Sequence, residues 1–149
     1  MKRRTCPCSS AKPTAICCGK LHRGLPASSP EELMRSRFAA FALGQVDYLI
    51  ATTDPEGPRA NPDRAAWRRE LLSYCKATDF VELRILSTEW EVGEPEGYVT
   101  FKVTLVQGGL PFSFVERSHF VRRADPAKKG TERWFYVDGE ELEDVENSV

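Results

Sequence analysis

Between Ser29 and Gly44 the apolar residues Met34, Phe38 and Phe41 recur at helical spacing and form one stripe. Ser29 stands as the N-cap of that segment, Pro30 at its first position and Glu32 three residues on as a capping box, while Gly44 supplies the C-terminal stop. A short second helix is expected from Val46 to about Thr52, ending before the turn cluster Asp54 to Pro58. A third has Asn61 as cap, Pro62 in its first turn, and Trp67, Leu71 and Tyr74 on one stripe. After Asp79 the period changes to two: Val81, Leu83 and Ile85 face one way, Glu82 and Arg84 the other. Val99, Phe101, Val103 and Leu105 alternate with Thr100, Lys102 and Thr104, and Gly108-Gly109 makes a tight connection to a strand from Phe112 to about Arg123. Asp125 to Gly130 reads as a loop, Arg133 to Val137 as the last strand, and Asp138-Gly139 as a turn. Helices followed by a run of antiparallel strands predict an α+β fold, with three helices packed on a curved sheet of about four strands.

Residues 1–24 have no sustained period and are rich in Cys, Pro, Ser and basic residues, so something other than an apolar core must order them. The pattern divides the chain into a small module at 1–24, a main domain at 29–139 and an acidic tail at 140–149 that frays. Six basic residues (Lys2, Arg3, Arg4, Lys12, Lys20 and Arg23) and no acid lie in the first module, although the whole chain carries a net charge of -1. The acidic excess therefore belongs to the remainder. No apolar run approaches the roughly 20 residues needed to span a bilayer, which excludes a membrane helix. Polar residues and cysteines follow Arg4 where a signal peptide needs an apolar stretch, so a cytoplasmic location is expected.

Four of the five cysteines fall between positions 6 and 18. In a reducing compartment such clustering points to metal rather than to disulfides. Cys6, Cys8, Cys17 and Cys18 supply four thiolates to one tetrahedral structural zinc ion, with His22 as the alternative to Cys18. Such a site is worth about 10 to 16 kcal/mol, far more than so short a segment gains from apolar burial. Four sulfur ligands leave no open position for catalytic water. The basic charge of this module suits an acidic protein partner; nucleic acid is disfavoured, because the module has no aromatic residue on which a base could stack.

The run Cys6-Pro7-Cys8-Ser9-Ser10, with Cys17-Cys18-Gly19 after it, resembles the SEC-C motif. That motif is the zinc knuckle at the end of the translocase motor SecA, where it serves contacts to a chaperone and to ribosomes. Leu21 to Gly24, Ser29-Pro30-Glu31, Leu33 to Phe38, Phe41 to Gly44, Val46 to Leu49, Thr52 to Pro55, Glu116 to Phe120 and Trp134 to Gly139 then resemble the YchJ family of small bacterial proteins. The resemblance covers nearly the whole chain. It implies a SEC-C knuckle joined to a nuclear-transport-factor-2-like cone, three helices wrapped by a bent antiparallel sheet, and it implies no activity. Cones of this type often dimerise through the open sheet face, so a homodimer is expected.

A cone encloses a pocket, and the strand after Pro111 places Phe112, Phe114, Glu116, Ser118 and Phe120 on one face. Glu116 interrupts an aromatic row. Arg37, on the flank of the first helical stripe, is the cation expected to pair with it, and Phe41, Tyr48, Asp54, Trp67, Trp134 and Tyr136 are the remaining wall candidates. Two readings of Glu116 follow: half of a buried ion pair that fixes the fold, or a general base in an enclosed apolar site. His119 points to the opposite face, which weakens a dyad. Cys75 is an apolar filler of the third helix. Two functions stand side by side: a binding or adaptor protein, with the knuckle docking a partner and the cone holding a small apolar ligand or peptide; or a lyase, isomerase or hydrolase using Glu116.

Overall fold

In the computed structural model, which describes residues 5–143, the basic residues 2–4 and the last six residues of the acidic tail lie outside the described residues. A 3-10 turn (Thr14–Ile16) leads into α1 (Cys18–His22), followed by α2 (Pro30–Leu43), α3 (Val46–Ala51) and α4 (Arg64–Ala77). The strands β1 (Thr78–Glu89), β2 (Glu96–Gln107), β3 (Leu110–Ala124) and β4 (Glu132–Leu142) then form one antiparallel meander in the order β1-β2-β3-β4. This is the expected α+β cone, with α1 added inside the knuckle.

Local chemistry explains where the elements begin and end. Ser29 Oγ accepts the Glu32 amide at 3.1 Å, and Glu32 reaches back to the amide of Ser28, one residue before the cap. Gly44, at φ 71, closes α2 in the left-handed conformation that glycine adopts without strain. The cap of α4 differs from expectation: Asp63, not Asn61, accepts the Ala66 amide, and Asn61 Oδ1 accepts the Asp63 amide in an Asx turn that precedes the helix. None of α4 is fully buried, so it lies over the sheet as a cover with space beneath it.

The sheet alternates as expected on β2, where Val99, Phe101, Val103 and Leu105 are buried against Leu33, Met34 and Phe38 of α2. Each such side chain contributes about 1.5 to 3 kcal/mol of burial. Gly97 permits this closeness, since a Cβ there would stand 2.8 Å from Pro30 and 2.9 Å from Trp90. On β1 the expected alternation fails. A bulge between Phe80 and Glu82 leaves Val81 unpaired and 57% exposed, and turns Phe80 inward instead. Asp138-Gly139 is no turn either. A bulge in β4, opposite His119 and Phe120, lets the strand run on so that Glu140 to Leu142 pair with Arg117 to Val115. Those three tail residues are therefore ordered by the sheet.

The segment after α3 is zipped onto β4: the Asp54 amide donates to the Tyr136 carbonyl and the Tyr136 amide to the Thr52 carbonyl, both at 2.8 Å. This brings Thr52 and Thr53 beside α2 and fixes the polar end of the cone. No helix among the described residues is long and apolar enough to cross a membrane.

Candidate metal centre and ligand cavity

Residues 5–13 fold into a loop closed by a bridge between Thr5 and Pro13 and by the Cys6 amide on the Lys12 carbonyl at 2.8 Å. Ser9 and Ala11, at φ 71 and 70, reverse the chain, and Cys6 and Cys8 thereby face Cys17 and Cys18 at the start of α1. Gly19 lets α1 pack on the Thr14 carbonyl, which a Cβ would approach to 2.7 Å. The four Sγ atoms all lie within 4.8 Å of one another. Sulfurs about 2.3 Å from one ion stand about 3.8 Å apart at the corners of a tetrahedron, and the Cys8 to Cys17 and Cys17 to Cys18 separations are 3.6 and 4.0 Å. The residues fit a four-thiolate metal site.

Electrostatics point the same way. The hydrogen bond from Cys18 holds the Cys8 thiol down at about 4, while giving that bond, together with burial, pushes Cys18 strongly up, and burial pushes Cys6 up. Cys6, Cys8 and Cys18, three buried thiols this close, do not all ionise without a cation among them. His22 is turned away from the sulfurs: its Nε2 lies 2.8 Å from the Ser36 carbonyl and its ring tilts against Tyr48.

The knuckle is joined to the cone at several points. Cys6, Cys8 and Cys18 pack on Ala39 of α2, Leu21 enters the main core, Arg35 donates to the Cys8 carbonyl at 2.9 Å, and the Leu83 amide donates to Ser9 Oγ at 3.2 Å. The last contact falls just beyond the β1 bulge, where the displaced strand leaves an amide for the knuckle.

Under α4 lies a cavity of about 210 Å³. Its body is apolar, walled by Met34, Phe38, Phe41, Phe80, Phe101 and Phe114, and its far end is polar, formed by Arg37, Glu116, Ser118 and Tyr136. A second recess shares Arg37, Glu116 and Tyr136 with it and continues past Arg59, Trp67 and Leu71. Burial pushes the Glu116 carboxyl above its ordinary value, against the opposing effect of a 2.9 Å hydrogen bond from Ser118. The carboxylate rests on Gly139 of β4, in the place a side chain there would fill.

The expected Arg37–Glu116 ion pair is not formed. Arg37 Nη1 instead donates to the Leu49 carbonyl and to the hydroxyls of Thr52 and Thr53, and its guanidinium lies 4.5 Å from the centre of the Tyr136 ring. The α3 segment, zipped to β4, delivers three neutral acceptors before any carboxylate comes within reach.

Of the wall candidates, Arg37, Phe41, Glu116 and Tyr136 line the cavity and Trp67 the adjoining recess. Tyr48, Asp54 and Trp134 lie elsewhere. Tyr48 shares a 2.7 Å hydrogen bond with Ser36, Asp54 is 1% exposed and bound by Arg123 at 3.1 Å, and Trp134 packs edge-on against Trp90 inside the core. Sequence reasoning missed Phe80, hidden by the bulge that shifts its phase. It also missed Thr52 and Thr53, whose role depends on the long-range pairing with Tyr136.

Comparison with known proteins agrees with this arrangement. Residues 29–139 match the family model described as YchJ, middle NTF2-like domain. The UPF0225 protein YchJ of Shigella dysenteriae serotype 1 is 34% identical over 135 residues, which cover 90% of this chain and 81% of that protein. A SEC-C motif containing protein from Rhodopseudomonas palustris superposes with a TM-score of 0.72 at 35% identity, covering 93% of this chain and 99% of that one. A second SEC-C motif containing protein, from Psychrobacter arcticus, superposes with a TM-score of 0.74 at 24% identity, over 95% and 85% of the two chains, and shows the shared fold.

Proposed function

The chain belongs to the YchJ family, and from that premise we propose that it is a zinc-stabilised binding protein whose cone cavity takes a small, largely apolar ligand. The observation that carries this reading is the cavity itself: an apolar body that ends in a cluster of polar groups, the usual form of a small-molecule site. At about 210 Å³ it exceeds the 150 Å³ or so of an engineered apolar cavity that admits benzene. Zinc is the metal that four thiolates in a closed tetrahedron suit best. Cys6, Cys8, Cys17 and Cys18 would hold it, and its contribution there is structural. Reduced cysteines are required, which fits a cytoplasmic location.

The exposed side of the knuckle, with Ile16, Lys12 and Lys20, is the surface we assign to a partner, and its charge selects an acidic protein. Ligand binding is placed before general-base chemistry because Ser118 is the one hydrogen-bond partner of the Glu116 carboxylate among the described residues, and His119 lies on the other sheet face beside Glu96.

Two measurements test the reading. Elemental analysis of reduced protein is expected to return one zinc per chain and none in a Cys8→Ser, Cys17→Ser variant; full occupancy in that variant removes the cysteine centre. Toluene is expected to shift NMR signals of Phe101 and Phe114, and Val103→Phe, which fills the cavity from β2, is expected to abolish the shifts. Shifts that survive the filling place the ligand elsewhere.

A further inference from the structure

Arg37 is 7% exposed, yet among the described residues none of the ion pairs includes it, and Glu116, on the same cavity wall, acts on it only through its field. All three of its hydrogen bonds leave from Nη1 and end on neutral oxygens. Nε and Nη2 have no protein partner among the described residues. Neither is sealed in: among the described residues the fully enclosed orphan nitrogens are Arg122 Nε and Arg123 Nε. The free edge of the guanidinium is thus open to the cavity or to the recess that adjoins it, both of which Arg37 lines. That edge, with two parallel N–H groups, is the one that grips a carboxylate side-on. A buried cation without a counter-ion costs several kcal/mol, and the three oxygens on Nη1 hold it in place without supplying a charge.

Resting on the ligand-binding reading above, we propose that the cavity takes a small monocarboxylate, with its carboxylate on the Nε–Nη2 edge of Arg37 and an apolar body against Met34, Phe38, Phe41, Phe101 and Phe114. The volume fits a body of one aromatic ring or a short alkyl chain. The adjoining recess adds a second cation, Arg59, on the path past Trp67, although Asp138 pairs with it at 2.7 Å. Glu116 is the group that opposes an anion here. It faces Ser118 on its own strand, Arg37 on α2, Asp138 and Glu141 on β4, and Arg59 from the loop before α4. Removing its charge therefore strengthens carboxylate binding, and removing the Arg37 charge weakens it.

The test is an NMR titration of the full-length, zinc-loaded protein with three probes of one size: benzoate, benzamide and toluene. Benzoate is expected to bind at least about tenfold more tightly than either neutral probe, a factor worth about 1.4 kcal/mol. Glu116→Gln is expected to raise benzoate affinity a few-fold and leave toluene unchanged, whereas Arg37→Met brings benzoate down to the level of toluene. Equal or tighter binding of benzamide or toluene in the natural protein overturns the carboxylate assignment while the ligand-binding reading stands. If none of the three moves a cavity signal, both fall. Should Arg37→Met fail to fold, the ranking of probes on the natural protein and the Glu116→Gln shift decide the matter alone.

Discussion

Replacing Gly139 by alanine gives a stability change whose sign depends on a residue on the neighbouring strand. Gly139 is extended and free of left-handed strain, so on backbone grounds alanine should stabilise the strand by about 0.5 to 1 kcal/mol, by lowering the entropy of the unfolded chain. The structure opposes this gain. The carboxylate of Glu116 occupies the position of the new Cβ, with its Cδ 2.6 Å and its Cγ 3.1 Å away, so the whole end of that side chain must move. Moving it breaks the 2.9 Å bond from Ser118, and a hydrogen bond to a charged group is worth about 1.5 to 3 kcal/mol. Partial exposure of Glu116 favours the lower end of that range. Gly139→Ala should therefore cost about 1 kcal/mol in the natural chain and stabilise by about 0.5 kcal/mol in a Glu116→Ala background. Urea unfolding followed by tryptophan fluorescence on the four proteins of the double-mutant cycle measures the difference directly. If alanine at 139 changes stability by the same amount in both backgrounds, the carboxylate does not rest on Gly139, and the described polar end of the cavity is wrong.

Ala11, at φ 70, holds a conformation that costs a non-glycine residue about 1 to 2 kcal/mol. Ala11→Gly is thus expected to stabilise the metal-loaded knuckle by about 0.5 to 1 kcal/mol net of unfolded-chain entropy, read as slower loss of metal to a competing chelator. Ser9→Gly should gain less, because Ser9 Oγ accepts the Leu83 amide. For Glu116 the sign follows from its raised carboxyl. The folded state keeps the proton longer than the unfolded state, so this group's contribution to stability falls as pH rises from the ordinary glutamate range through the raised value. Glu116→Gln should unfold at higher urea than the natural chain at pH 7 and lose that advantage below about pH 4, and an unchanged difference across this span would count against burial of the carboxyl.

Much of this fold is written in local pattern. Ser29, Pro30 and Gly44 bound α2 through cap chemistry that involves only neighbours, and the period of β2 survives intact because its pairing with β3 runs in unbroken register over Val99 to Leu105 and the register shifts against β1 fall on the β1 side. The misread strand positions share one cause. Val81, Val137 and Asp138 sit at or beside bulges, and a bulge is set by what the partner strand and the knuckle require, not by the residues within it. The four cysteines were legible as a set because metal ligation demands residue types that have little other reason to cluster. The pairing of Arg37 was not, since three oxygens arrive from a segment whose position depends on β4.

These dependences connect the knuckle to the cavity through one helix. Arg35, Ser36 and Ala39 of α2 hold the knuckle: Arg35 at the Cys8 carbonyl, Ser36 at His22, Ala39 beneath the cysteine sulfurs. Met34, Arg37, Phe38 and Phe41 of the same helix line the cavity. Residues three and four apart share a helix face, whereas neighbours in sequence point away from one another, so α2 presents one side to the cysteine knuckle and another to the cavity. Rotation of the helix about its axis would disturb both at once. Leu21 and the Ser9 contact to Leu83 pin the knuckle to core and sheet as well, and an ordered knuckle therefore fixes the rotation of α2 relative to β1 and β2. Metal in the cysteine centre would in this way set the direction of Arg37 without touching it. This gives a physical reason for the cone to carry a cysteine knuckle at its first helix.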